Sequence, residues 1–230
     1  MELLSIIVPV YNEESTVRSV IERLLEIELP IAREILIIND GSTDGTRAAL
    51  DGMADVSEMV RIFHAPMNAG KGRAIRTGFE HARGTIVAIQ DADLELDPAQ
   101  LADLIGPILA HETFVVYGSR FLSGTPAAPW LTIVANKVLT GATNLLYGAS
   151  LTDMETCYKI MRTEVARGLD LHANGFDIEP EITAKVLRKG LIIVERPIRF
   201  EPRSRAQGKK IGWRDGVRAL EVLVRHRIQR

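Results

Sequence analysis

Cysteine is nearly absent: Cys157 is the one thiol in 230 residues. No intrachain disulfide can form and no cysteine zinc pattern exists, which suits a reducing compartment. Aromatics make up only 5% of the chain. No Ser/Gly/Pro-rich linker or low-complexity stretch divides the sequence, and no repeat recurs at a fixed period. No basic leader precedes the apolar run Leu3–Val8, so no secretory signal is expected. Long uncharged apolar runs are lacking too. The most apolar window, residues 131–150, contains Asn136, Lys137 and Asn144, which predicts a helix lying on a surface rather than a span.

What remains is an ordinary globular composition, 46% hydrophobic and 25% charged. Net charge is −2 but unevenly spread. From Arg199 onward there are 10 Lys and Arg against 3 Asp and Glu, a net of +7, which leaves −9 on the rest. A basic tail on an acidic body points to an anionic partner. Nucleic acid is disfavoured, because no aromatics interleave with the cations.

Short apolar runs alternate with segments of helical period. Strands are expected at residues 4–8, 35–38, 60–63, 85–89 and 114–117, and helices at 14–26, 46–54, 73–82 and 98–109. This predicts an α/β fold with a mostly parallel, Rossmann-like sheet flanked by helices. Residues 1–200 are read as one domain, with 201–230 as its basic loop and amphipathic C-terminal helix. Ligands in such sheets bind at the carboxyl ends of strands. Three polar clusters fall there: residues 9–13, 39–46 and 91–95.

The usual nucleotide fingerprints are missing. The first strand runs into "VPVYNEE" with no glycine, "GKGRAIRTG" has Ile75 where a third glycine belongs, and there is no GxxxxGK[ST]. Five other stretches are present in order: "SIIVPVYNEE" (5–14), "ILIINDGSTDGT" (35–46), "NAGKGRAIRTGF" (68–79), "QDADLELDP" (90–98) and "YGSRF" (117–121). Together they resemble glycosyltransferase family two, with the glycosyltransferase A fold, across roughly residues 4–200. "GKG", "DAD" and "GSR" are most similar to its dolichyl- and polyprenyl-phosphate members, the dolichol-phosphate mannose synthase type.

The resemblance implies an inverting, metal-dependent transfer of a hexose from a GDP- or UDP-sugar to a polyprenyl phosphate. Four acidic side chains at alternate positions from Asp91 to Asp97 call for a cation, and Mg²⁺ or Mn²⁺ prefers carboxylate oxygens. Asp91 and Asp93, with Glu95 two residues on, are the expected metal ligands, while Asp97 is expected to cap the next helix. By resemblance, Pro9, Tyr11, Glu13 and Asp40 cradle base and ribose, and Ala92 lies beside the donor between the two aspartates. Gly70 and Lys71 are expected to bring backbone N–H groups and an ammonium to a phosphate or base. Arg120 offers a fixed fork to the acceptor phosphate or the sugar-phosphate. Asp153 in "LTDMETCYKIMR" (151–162) stands where many members keep a general base; a lipid phosphate, already anionic, does not need one. Asp177 or Glu179 caps a helix or meets sugar hydroxyls. Arg203 and Lys209 belong to an expected mobile lid.

Two helices carry apolar stripes: Leu131, Val134, Val138, Ala142 and Leu145 on one, Val217, Leu220, Val224 and Ile228 on the other. Each faces either the core or a bilayer. The expectation is a cytoplasmic protein, peripheral at the membrane face, with a membrane partner protein possible. Three rivals remain: transfer to a saccharide hydroxyl with Asp153 as base, a non-catalytic nucleotide-sugar sensor, and nucleotidyl transfer, which would release pyrophosphate from a nucleoside triphosphate.

Overall fold

A computed structural model describes residues 2–202 and 213–228. Seven strands form one sheet: β1 (Leu3–Val10), β2 (Ala32–Asn39), β3 (Val60–His64), β4 (Ile86–Ile89), β5 (Val115–Ser119), β6 (Lys159–Arg162) and β7 (Ile193–Pro197). Their spatial order is β3-β2-β1-β4-β6-β5-β7. All pairings are parallel except those of β6, which runs antiparallel to both β4 and β5. Among the helices, α1 (Val17–Glu26), α2 (Thr46–Asp51), α3 (Lys71–His81) and α4 (Leu101–Leu109) link the parallel strands. The others are α5 (Trp130–Tyr147), α6 (Thr163–Gly168), α7 (Ile178–Arg188) and α8 (Trp213–Ile228).

The local causes are visible in the chain. Residues 4–8 are buried throughout, as expected of a parallel strand covered by helices on both faces. Helix α1 buries Val17, Val20, Ile21 and Leu24, a spacing that puts all four on one face. Helix α3 comes close to β1 because residue 78 is glycine; a Cβ there would meet Ile7 Cγ2 at 2.3 Å. Asp97 caps the turn at Pro98–Gln100 as expected, accepting from Ala99 N at 3.1 Å.

The expected strands and helices of the first half are present, with ends moved by one to three residues. Strands β6 and β7 and helix α6 are additions. β6 determines the site: because it is antiparallel, the segment before it, residues 151–158, lies at the sheet edge where the parallel strands end. Register places Lys159 beside Tyr117 and Ile160 beside Ala88.

A second, smaller apolar cluster joins α5, α7 and α8 through Leu139, Met154, Ala184, Ala219 and Leu223. Tyr147 Oη donates to Leu223 O at 2.7 Å. Helices α5 and α8 therefore each bury one face and present another.

Candidate active site

Strands β1 and β2 end side by side, with Val10 opposite Asn39. The loops beyond them are tied together. Asn12, at φ 53°, accepts from Thr43 N at 2.8 Å, and its own N–H donates to Ser42 Oγ at 3.0 Å. Glu13 is buried, its N–H donating to Thr46 Oγ1 at 2.8 Å and its carboxylate accepting from Thr16 Oγ1 at 2.8 Å. Pro9 and Tyr11 are half-buried on the same edge. Asp44 accepts from Thr46 N, the first residue of α2, at 3.0 Å.

Asp40 is buried, and its two oxygens accept from Ala69 N (2.9 Å) and Gly70 N (2.7 Å). Burial pushes its carboxyl up, against those two bonds. The amides of Gly72 and Arg73 donate to Asn174 O at 2.7 and 3.2 Å. Of the amides expected to reach a ligand, that of Gly70 already has a protein acceptor, as do those of its neighbours Ala69, Gly72 and Arg73. The glycines serve close packing instead. Gly70 has φ 99°, and a Cβ on it would lie 2.3 Å from Asn174 O; one on Gly72 would lie 2.5 Å from Ala173 O. Gly70→Ala is expected to destabilise the fold by about 3 kcal/mol, from left-handed strain plus the backbone clash. A lower denaturation midpoint at unchanged m-value checks it.

The Lys71 ammonium lies between two carboxylates. Its Nζ lies 2.8 Å from Asp91 Oδ1 and 3.1 Å from Glu179 Oε1. Glu179 in turn meets Lys159 Nζ at 2.6 Å, and Lys159 is wholly buried, also donating to Met154 O and Thr156 O. The result is an alternating row, Asp91–Lys71–Glu179–Lys159. Burial opposes the charged forms at Lys71 and Asp91; their mutual attraction outweighs it, holding Lys71 well above and Asp91 below their ordinary ranges. The buried Cys157 thiol donates to Ile89 O at 3.8 Å, at the end of β4 two residues before Asp91. Glu179 is therefore an ion-pair partner and no helix cap, and Asp177 accepts from Gly175 N at 3.0 Å without capping α7.

Beyond Asp91, Ala92 is buried, and Asp93 and Glu95 are partly exposed on the turn after β4. Asp93 Oδ1 accepts from Glu95 N at 3.2 Å. Among the described residues no three His, Cys, Asp or Glu side chains gather closely enough to form a cage. Two hard carboxylates fit Mg²⁺ or Mn²⁺ in another way, as an ion shared with substrate phosphate oxygens and water.

Arg120, just past β5, grips Asp153 with a fork: Nε to Oδ2 at 2.7 Å, Nη2 to Oδ1 at 2.7 Å, and its backbone N to Oδ2 at 3.0 Å. Asp153 is completely buried. Glu195 of β7 holds the same loop, accepting from Asp153 N at 3.0 Å and Thr152 N at 2.7 Å. Lys159, Tyr158, whose Oη donates to Gln90 Oε1 at 2.6 Å, and Glu195 were not expected from the sequence. A lysine inside the run "CYKIM" is the signal that could have marked a buried ion pair. Arg203 and Lys209 lie outside the described residues.

Between the two clusters sits Glu155. Its Oε1 is shielded from solvent with no hydrogen-bond partner. Burial pushes its carboxyl up to about 7, with Lys159 and Arg120 lowering it and Glu179 and Asp153 raising it. A folded pKa above the unfolded one gives stability that is complete below the unfolded value and lost as pH rises through 7. Glu155→Gln should therefore be the more stable protein above pH 7, by up to about 3 kcal/mol, and gain little below pH 5. Thermal melts across that range check the sign.

A family model, Glycosyl transferase family 2, matches residues 5–169. The chain is 30% identical over 216 residues to the polyprenol monophosphomannose synthase of Mycolicibacterium smegmatis, covering 90% of this chain and 80% of that protein. It is 31% identical over 226 residues to the undecaprenyl-phosphate mannosyltransferase of Micrococcus luteus, covering 94% and 90%. Among solved structures it is similar to glucosyl-3-phosphoglycerate synthase from Mycobacterium tuberculosis in complex with Mn²⁺, UDP-glucose and phosphoglyceric acid, with TM-score 0.73 and 19% identity over 98% of this chain and 80% of that one. That likeness bears on the fold alone.

Proposed function

The chain belongs to glycosyl transferase family 2 and is a glycosyltransferase, and from that premise we propose that it moves a hexose, mannose or glucose, from a GDP- or UDP-sugar to the phosphate of a polyprenyl lipid. The names of the two mannosyltransferase relatives support the acceptor class. The observation that carries the reading is the Arg120–Asp153 fork. The carboxylate at the base position is buried and gripped on both oxygens by a guanidinium. A saccharide hydroxyl needs a base to take its proton; a phosphate needs a cation to receive it and gives up no proton.

A lipid phosphate oxygen, oriented by Arg120, attacks the anomeric carbon in line. The bond from that carbon to the diphosphate breaks, the nucleoside diphosphate leaves with the electron pair, and configuration inverts. Pro9, Tyr11, Glu13 and Asp40 form the edge that takes base and ribose, Asp40 by setting the 69–70 loop. Asp93 and Glu95 would hold Mg²⁺ or Mn²⁺, which supplies charge to the departing diphosphate. Asp91, paired with Lys71, completes that electrostatic setting.

The lipid has to be met at a bilayer. Nine of the fifteen large apolar side chains exposed among the described residues lie on two helices: Trp130, Leu131, Val134, Val138 and Leu145 on α5, and Val217, Leu220, Val224 and Ile228 on α8. Each set occupies one face of its helix. No helix among the described residues is long and apolar enough to cross a membrane. The protein would therefore sit peripherally at the membrane face on these stripes. Val138→Asp with Leu145→Asp, or Val224→Asp with Ile228→Asp, should lower sedimentation with anionic vesicles at least tenfold and leave nucleotide binding unchanged.

A mass-spectrometric screen tests the reaction. Purified protein, Mg²⁺ or Mn²⁺, GDP- and UDP-hexoses and undecaprenyl or dolichyl phosphate should give a glycosyl phospholipid that disappears with Asp93→Ala. Binding of a donor with no lipid product from any of them sinks the proposal.

A further inference from the structure

A buried carboxylate oxygen without a hydrogen-bond partner is costly, and a protein keeps one where a ligand completes it. Glu155 Oε1 is such an atom. Its place in the fold limits what that ligand can be. Two residues before it, Asp153 is locked to Arg120; two residues after it, Cys157 donates to Ile89 O, at the end of the strand that leads into Asp91. Lys159 and Glu179 face it from β6 and α7, and Arg120 from the end of β5. Glu155 thus stands between the acceptor-phosphate end of the site and the donor-diphosphate end. In an in-line displacement the group between attacking and departing phosphates is the sugar itself.

We propose that Glu155 is a specificity-determining residue that accepts a hydrogen bond from a hydroxyl of the transferred hexose. The inference rests on the glycosyl-transfer reading of the same site. It goes further in naming a contact to the sugar, distinct from the contacts to nucleotide, metal and lipid. The raised carboxyl pKa is consistent with a group desolvated in advance for a hydroxyl donor. The immediate surroundings carry two cations, Lys159 and Arg120, both already engaged by carboxylates, so Oε1 keeps its acceptor capacity. A site built to receive a particular hydroxyl rejects a sugar that lacks it, because the carboxylate is left buried and unpaired.

The test separates sugar from nucleotide. Calorimetry with Mn²⁺ would compare UDP with UDP-glucose and GDP with GDP-mannose, on wild type, Glu155→Ala and the isosteric Glu155→Gln. The expected result is weaker binding of the preferred sugar nucleotide by about ten- to a hundredfold in Glu155→Ala, with the matching diphosphate changed less than twofold. Equal loss for sugar nucleotide and diphosphate would overturn the assignment and leave Glu155 a structural residue. So would no loss in either variant, or a wild type that gains nothing from the attached hexose. Glu155→Gln keeps shape and removes a buried charge, so it keeps the experiment readable if the alanine variant folds poorly. Failure of lipid transfer with sugar discrimination intact would sink the polyprenyl acceptor and leave this inference standing.

Discussion

Replacing Arg120 by alanine should reduce transfer by about 10³-fold and destabilise the protein by about 3–5 kcal/mol. Two separate causes add. The first is chemical: the guanidinium is the cation proposed to receive the acceptor phosphate. The second is electrostatic: Asp153 is completely buried and depends on Arg120 for three contacts. One of those three comes from the backbone N–H and survives the substitution, yet a carboxylate with a single donor in that position remains undercompensated. Arg120→Lys should recover part of the stability but lose about a hundredfold in rate, since an ammonium cannot reproduce the fork. The double variant Arg120→Met with Asp153→Leu removes the orphaned charge. It should regain most of the stability and none of the activity, which separates the two causes. Chemical denaturation beside steady-state kinetics reads both.

Lys71→Met carries the other large effect. The lysine is shared by Asp91 and Glu179, so its loss leaves the buried Glu179 and the partly buried Asp91 carboxylates facing each other across the space it filled. A cost of about 3–5 kcal/mol is expected. The cost should depend on pH with a definite sign. In the wild type the folded pKa of Asp91 is depressed, so its stabilisation is present above the unfolded pKa and lost as pH falls through the folded value. Without Lys71, burial acts on Asp91 against only the weaker opposing effects of Cys157 and Lys159, and it reverses that shift. The deficit of the variant should then be largest at neutral pH and shrink toward pH 4. Adding Glu179→Gln to Lys71→Met should relieve part of it. A deficit that stays flat with pH would mean the row of charges is not what holds these elements together.

The sheet's parallel half was legible because its strands are continuous apolar runs, as in residues 4–8 and 35–38, buried on both faces. Strand β6 was not, because Lys159 interrupts its apolar pattern. Only the fold supplies the acceptors, Glu179 and the carbonyls of Met154 and Thr156, that let a lysine lie there. Strand β7 is five residues ending in proline, with an acid in its middle, and reads as a loop until Glu195 is seen to hold the amides of Thr152 and Asp153. The motifs drew attention to Lys71, Asp91, Arg120 and Asp153. Their pairing could not be read, since Glu179 and Lys71 lie on helices far apart in the chain. "NAGKG" shows the same limit. Its glycines suggested amides offered to a ligand, whereas the chain at 173–175 passes so close that only glycine fits.

The membrane stripes show a different limit. Val134 and Val138, or Val224 and Ile228, have the same spacing whether they face a core or a lipid. Only burial of the opposite faces, at Leu139 and Thr143 on α5 and Ala219 and Leu223 on α8, shows that the stripes point outward.

The most direct test of the central claim, that this site serves an anionic nucleophile and not a hydroxyl, is a comparison of two acceptors with one lipid chain. Polyprenyl phosphate and the corresponding polyprenol would be offered with the same donor and metal, and initial rates measured by mass spectrometry. The account predicts transfer to the phosphate alone, at a rate that falls with Arg120→Lys. Equal or faster transfer to the alcohol, lost with Asp153→Asn, would contradict it and make Asp153 a base after all.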